Sequence, residues 1–311
     1  MVQGHRAFVS SREIPSQVSL TVARWPPYAT VDTTTLKRAG NSTTPRDVTH
    51  LHGWHRGWWK MRFMRTTVLV LGGTAEAREL AVLLRDHGVG FVSSLAGRVA
   101  RPRLPVGAVR IGGFGGVPGL RAYLGESRIS AVVDATHPFA TGMSANALAA
   151  CSAEAVPLLR LERPGWSGAP GAATWHWVDD HDEAAGLAAR LGRRPFLTVG
   201  RQTLGRFIGP LGSLAALVRV VDAPDIEVPD VWTVLLSRGP YPLDAERAVM
   251  ADVDVLVTKD SGGSYTWAKM QVARERGIPV VIVRRAAAPP ALDVVHDPEA
   301  AAAWVVARTS R

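Results

Sequence analysis

Residues 67–79, TVLVLGGTAEARE, constrain this chain more than any other stretch. Val68, Leu69, Val70 and Leu71 make a short apolar run, the pattern of a strand covered on both faces. Gly72 and Gly73 end it. Thr74 is placed to cap a following helix over 75–86, in which Leu80, Leu83 and Leu84 share one face. Strand, glycine turn and helix start in this order make an anion site, because the first amides of a helix lack intrahelical partners and the helix dipole is positive there. Against the G-x-G-x-x-G dinucleotide fingerprint, Gly72 fills the first position, Thr74 stands in the second and Ala77 in the third. A strand–helix turn that binds nothing has the same residues, so the turn alone leaves both readings open.

From Thr66 onward short apolar strands alternate with helical patterns. Strands are expected over 67–71, 89–95, 109–111, 130–134 and 157–161, with helices over 75–86, from about 118 to 124, and over 138–153. This alternation predicts an α/β fold with a parallel, doubly wound sheet. Residues 162–174, ERPGWSGAPGAAT, are rich in Pro, Gly and Ala and lack a period, so a linker is placed there. A second alternating series fills 175–311 and ends in a helix begun by Asp297 and Pro298. The expected organisation is thus a dinucleotide-binding domain over 66–161, the linker 162–174, and a second α/β domain over 175–311.

Residues 1–65 differ from the rest. They hold 10 Lys and Arg against 3 Asp and Glu, whereas the remaining residues hold 26 against 24. The net charge of +9 therefore belongs mainly to this segment and gives no ground for nucleic-acid binding by the folded body. The segment has no sustained period and no apolar core of a secretory signal. It is read as a disordered extension or as sequence upstream of a later start at Met61 or Met64. His50, His52 and His55 lie close together there, but a built metal site needs more ligands and a second shell, so no metal is expected. One cysteine, Cys151, precludes an intrachain disulfide and fits a reducing cytoplasm. No run approaches the ~20 apolar residues of a membrane helix.

Ligands of open α/β sheets sit at the carboxyl ends of strands. After the second strand, Ser94, Arg98, Arg101 and Arg103 stand where an NAD site would carry an acid, which favours a 2′-phosphate and hence NADP(H), with a solvated basic loop as the alternative. After the third comes Gly112-Gly113-Phe114-Gly115-Gly116. After the fourth, Asp134, Thr136 and His137 face the expected crevice. In the second series Arg201 with Gln202, Arg238, and Lys259 followed by Ser261, Gly262 and Gly263 each close a strand, so three strand ends deliver a cation beside glycine. Three such ends in one sheet suit a polyanionic ligand.

Taken together, LGGTAEAR, SLAGR, GGFGGVPGL, DATHPFA, TVGRQ, LSRGP, TKDSGGSYTWAKM and GIPVVIVRR resemble the precorrin-6A reductase family over about 67–285. The resemblance implies two Rossmann-like lobes with mainly parallel sheets and an active site in the cleft between them. It implies reduction by NADPH of a ring double bond of precorrin-6A to precorrin-6B in cobalamin biosynthesis, with a many-carboxylate tetrapyrrole as substrate and other enzymes of that pathway as partners. Gly72, Gly73, Thr74, Glu76 and Ala77 would then hold the pyrophosphate and adjoining ribose, Ser94 and Arg98 the 2′-phosphate, and Thr136 would lie by the nicotinamide. Asp134 and His137 would be catalytic, with His137 one candidate proton donor beside solvent and the substrate's own carboxyls. Arg201, Gln202, Arg238 and Lys259 would meet substrate carboxylates, and Ser261, Gly262 and Gly263 would cradle them. Two rivals remain on the residues alone. A short-chain dehydrogenase would use Tyr265 and Lys269, which have the Tyr-x-x-x-Lys spacing but lie far from the glycine turn. A non-catalytic NADPH-binding module would have no need of three basic strand ends.

Overall fold

The computed structural model describes residues 67–289 and 292–309, all within one compact unit. The expectations for 1–65 lie outside the described residues. The first series runs β1 (Thr67–Leu71), α1 (Ala75–Asp86), β2 (Gly90–Leu95), β3 (Ala108–Ile111), α2 (Gly116–Glu126), β4 (Ile129–Asp134), α3 (Thr141–Ala153) and β5 (Leu158–Leu161). The second runs β6 (His176–Val178), α4 (His181–Leu191), β7 (Pro195–Leu197), α5 (Gly205–Leu211), β8 (Leu217–Val220), β9 (Thr233–Leu236), α6 (Leu243–Val249), β10 (Val255–Lys259), α7 (Ala268–Glu275) and β11 (Val280–Val283). A strand β12 (Asp293–Val295) and a helix α8 (Pro298–Thr309) close the chain.

The strands form two six-stranded sheets in which every pairing is parallel. The orders are β12-β5-β4-β1-β2-β3 and β6-β11-β10-β7-β8-β9. Strand periodicity explains the layers. In β1, Val68 and Val70 pack with Leu80 and Leu84 of α1 and with Val305 of α8, while Leu69 and Leu71 pack with Leu120 and Leu124 of α2 and Ala147 of α3. The second sheet repeats the scheme: Val255 and Val257 of β10 face Ala184 and Phe207 on one side, and Leu256 faces Met270 on the other. Both-face burial is why these strands read as unbroken apolar runs.

The chain's last elements depart from the expected division. The sequence pattern places 175–311 whole in the second domain, yet β12 pairs with β5 and α8 packs on α1, so the end of the chain completes the first lobe. The second sheet takes its sixth strand, β6, from the residues just after the crossover instead. The two lobes thus fill the same edge position from opposite directions of the chain.

The carboxyl ends of both sheets meet along one seam, held by two lines of contact. At the β4–β5 side, Arg163 of the crossover pairs with Glu76 of α1 at 2.8 Å and donates from Nε to the Ser261 and Gly262 carbonyls. At the β2 side, the loop 96–107 reaches the second lobe three times. The Arg98 carbonyl accepts from Arg201 at 2.5 Å, the Ala100 amide donates to Asp222 at 3.1 Å, and Arg103 donates to the Tyr265 hydroxyl. By strand order, β1 with β4 and β7 with β10 lie between these two lines. Those are the points where each sheet's order reverses, which is where such sheets take ligands.

Candidate functional site

At the glycine turn, Gly73 has φ +118° and nothing within 4 Å of where a Cβ would stand. The backbone there lies open to a ligand. Thr74 caps α1: its Oγ1 accepts from the Ala77 amide at 3.1 Å and donates to the Ala135 carbonyl at 2.8 Å, stitching the turn to the end of β4. Its hydroxyl is therefore already used, and the Ala77 amide with it. The helix-start amides ahead of Ala77 are the donors left for an anion. Gly72 donates to the Ser94 carbonyl at 2.9 Å and Ala77 packs beneath it.

Several expected cofactor side chains are spent within the protein. Glu76, expected beside the ribose, is the ion-pair partner of Arg163. Thr136, expected beside the nicotinamide, is buried, donates to Asp134 at 2.7 Å and accepts from Arg160 at 3.1 Å. The Ser94 hydroxyl accepts from Arg110 at 2.9 Å. Arg98 is exposed, and its recorded partner is at its carbonyl rather than at its guanidinium. Arg110 of β3 is the better-fixed cation. It donates to the Gly112 and Gly113 carbonyls and lies 3.8 Å over the Phe114 ring. A reading of residues just after strands passes over Arg110, because it lies inside one.

Asp134, expected as catalytic, is 1% exposed and saturated. One oxygen accepts from the amide and hydroxyl of Thr136, the other from Ser144 at 2.6 Å and Arg160 at 2.7 Å. It anchors a row of alternating charges, Asp134, Arg160, Glu162, Arg285 and Asp260, that runs from β4 of one lobe to β10 of the other. His137 is partly buried. Its Nδ1 accepts from the Phe139 amide at 3.2 Å, which leaves the proton on Nε2 of the neutral ring. Burial first, then the charge of Lys259, holds its pKa well below the usual histidine value. The ring is neutral at physiological pH, so an imidazolium acid at His137 does not fit this site. Phe139 crosses the seam, packing against the second lobe's core with His181 6.3 Å away and Lys259 5.1 Å from its ring centroid.

On the second lobe, Arg201 is engaged by Asp225 at 3.1 Å and by the Arg98 carbonyl. Gln202 is exposed and Arg238 half-buried. Among the described residues the side chains of Arg238 and Lys259 have no hydrogen-bond or ion-pair partner. The expected cradle at Ser261, Gly262 and Gly263 serves the chain itself. A Cβ on Gly262 would lie 2.2 Å from the Pro164 carbonyl oxygen, and one on Gly263 would lie 2.7 Å from Arg163 Cδ. Trp166 donates from Nε1 to the Gly263 carbonyl at 3.0 Å. Glycine permits close approach of whatever comes near, and here that is the crossover. Gly262→Ala, with φ +66° as well, is expected to lower the unfolding free energy by ~2 kcal/mol or more, read by urea denaturation. An unchanged midpoint would mean that the crossover does not seat on this turn.

Tyr265 and Lys269 do not face a common site. The tyrosine is exposed, whereas Lys269 is 3% exposed, donates to the Thr266 carbonyl and lies 5.0 Å from the Trp166 ring centroid. No group of metal-ligating residues occurs among those described, and none of their helices is long and apolar enough to cross a membrane.

Two facing doubly wound lobes, one with an open glycine turn and the other with unpaired cations, define a two-lobed α/β enzyme of the dinucleotide-fold class. The family described as "Precorrin-6x reductase CbiJ/CobK" matches residues 67–306, and the chain belongs to that family. A precorrin-6A reductase of Rhodococcus erythropolis is 50% identical over 249 residues, 79% of this chain and 100% of the relative. One from Mycobacterium tuberculosis is 48% identical over 250 residues, 79% of this chain and 100% of the relative. A solved structure, "CobK precorrin-6A reductase", aligns with a TM-score of 0.72 at 38% identity, covering 78% of this chain and 97% of that one. The chain is thus an oxidoreductase, and a reductase of this kind draws on a nicotinamide cofactor.

Proposed function

We propose that this protein reduces a ring double bond of precorrin-6A with NADPH, giving precorrin-6B in the cytoplasmic assembly of the corrin ring. The observation that carries the reading is the open Gly73 turn on one lobe together with the unpaired Lys259 of the other, which reaches across the seam to within 5.1 Å of the Phe139 ring centroid. A pyrophosphate needs helix-start amides, and a tetrapyrrole bearing acetate and propionate arms needs cations.

The residues present suit a dinucleotide mainly through main chain. Gly72, Gly73 and the first amides of α1 would take the pyrophosphate. Ser94, with Arg110 fixed beside it and Arg98 free in the loop, would take the 2′-phosphate that separates NADPH from NADH. The cofactor supplies hydride when bound, and the protein's part is to orient it against the ring. Asp134 and Thr136, locked to Arg160, would hold the strand end rigid while His137 presents a neutral Nε2–H. Arg201, Gln202 and Arg238 would face substrate carboxylates, Arg201 exchanging its Asp225 partner for one of them, and Lys259 would face the tetrapyrrole from the end of β10. Other enzymes of the pathway are the partners this activity requires for supply and removal.

The test is to mix the protein with NADPH and precorrin-6A and follow the near-ultraviolet absorbance of the reduced nicotinamide. Loss that depends on the tetrapyrrole is expected, and faster with NADPH than with NADH. Tight NADPH binding without turnover would instead identify a non-catalytic module.

A further inference from the structure

Charge at the seam is matched almost throughout. Arg160 meets Asp134 and Glu162, Arg163 meets Glu76, Arg285 meets Glu162 and Asp260, and Arg201 meets Asp225. Lys259 breaks the pattern, since its ammonium has no such partner among the described residues. Its neighbour Asp260 is turned to Arg285 and to the Trp166 amide. Lys259 ends β10, at the order reversal of the second sheet. It faces the His137–Phe139 stretch, which follows the order reversal of the first. A Cβ on Gly200 after β7 would lie 3.6 Å from Nζ, which places the amine against the end of the neighbouring strand across that reversal.

An unpaired, partly buried ammonium is costly, and protein chemistry retains one where it is used. The groups around it do not neutralise it. His137 on the first lobe, His181 at the start of α4 and Lys269 on α7 all carry pKa values lowered in part by the charge of Lys259. Of the two unpaired cations, Lys259 is the one that ends a strand at the order reversal, whereas Arg238 follows the edge strand β9. His137 is a neutral ring with its Nδ1 occupied.

We propose that Lys259 is the general acid of the reduction, giving its Nζ proton to the ring carbon adjacent to the one that receives hydride. The proposal rests on the reading given above and deepens it. The balance is complete: the nicotinamide is oxidised as its hydride forms one C–H bond, and an Nζ–H bond breaks as the second C–H bond forms. The ring double bond becomes single, and the neutral amine regains a proton from water. Burial draws the Lys259 pKa down to about 8, so the group is mostly charged at neutral pH yet far more acidic than an exposed lysine.

The experiment compares wild type, Lys259→Arg and Lys259→Met in the full chain. It reads kcat, KM for precorrin-6A, pH profiles, and NADP+ affinity by calorimetry. Wild-type kcat is expected to fall as pH rises through about 8, where the acid is lost. Arginine keeps the charge and not the transferable proton. Its KM should stay within about 3-fold of wild type while kcat drops ~100-fold or more and the alkaline limb disappears. Methionine should lose both. NADP+ affinity unchanged in both variants confirms that the first lobe is intact. If Lys259→Arg turns over at wild-type rate with the alkaline limb preserved, Lys259 is only a counter-ion and the proposal is overturned. Absence of turnover in wild type itself would instead defeat the functional reading.

Discussion

Asp134→Ala is expected to lower the unfolding free energy by ~3–5 kcal/mol, measured by urea denaturation. The carboxylate is 1% exposed and its partner Arg160 is 3% exposed. Removing it strips Arg160 of its 2.7 Å ion pair and leaves the Ser144 hydroxyl without its acceptor. Glu162 still faces Arg160 at 2.9 Å, which places the loss toward the lower end of the range. Breaking one half of a buried pair is costly because the remaining charge stays desolvated. Asp134→Asn separates structure from chemistry. The amide retains an acceptor for Thr136 and should fold with a smaller loss. A scaffold role predicts that the folded Asn variant keeps most of its kcat, whereas a reacting carboxylate predicts its near-complete loss.

The second large effect concerns cofactor choice. Arg110→Ala should weaken NADP+ by ~100-fold, about 2.7 kcal/mol, and NAD+ by no more than about 3-fold, read by calorimetry. Arg110 is held by the Gly112 and Gly113 carbonyls, by the Ser94 hydroxyl and by stacking on Phe114, so its ordering cost is met before a ligand arrives. Arg98 must be recruited from solvent, so Arg98→Ala should cost NADP+ only a few-fold. Equal losses of both nucleotides in Arg110→Ala would make that residue a staple of the glycine turn and return the phosphate to Arg98.

Much of this architecture is legible in the chain. The β1–α1 unit could be read because Val68 to Leu71 are apolar on both faces and Thr74 is a competent cap. The other long strands follow the same logic. The edge strand β12 escaped because three residues, Asp293 to Val295, carry too little pattern, and no local signal says which sheet they join. The site was legible in position but not in detail. Reading strand ends found Thr74, Ser94, His137 and Lys259. It could not tell which polar atoms the protein had already consumed, because the consuming partners are remote. Arg285 finds Glu162 across 123 residues, and Arg163 finds Glu76 across 87. The glycines after β10 show the same limit from another side. Sequence reports that something comes close to Gly262 and Gly263, and only the fold says that it is the crossover rather than a ligand.

The exchange of edge strands has a mechanical corollary. The chain passes between the lobes twice, outward between β5 and β6 and back between β11 and β12, so the lobes are joined by two covalent connections rather than one. A pair of tethers restrains twisting and sliding while still permitting rotation about the line that joins them. A stop introduced just after β11 would spare every strand of the downstream sheet and instead unravel the lobe whose first strand was laid down more than 200 residues earlier.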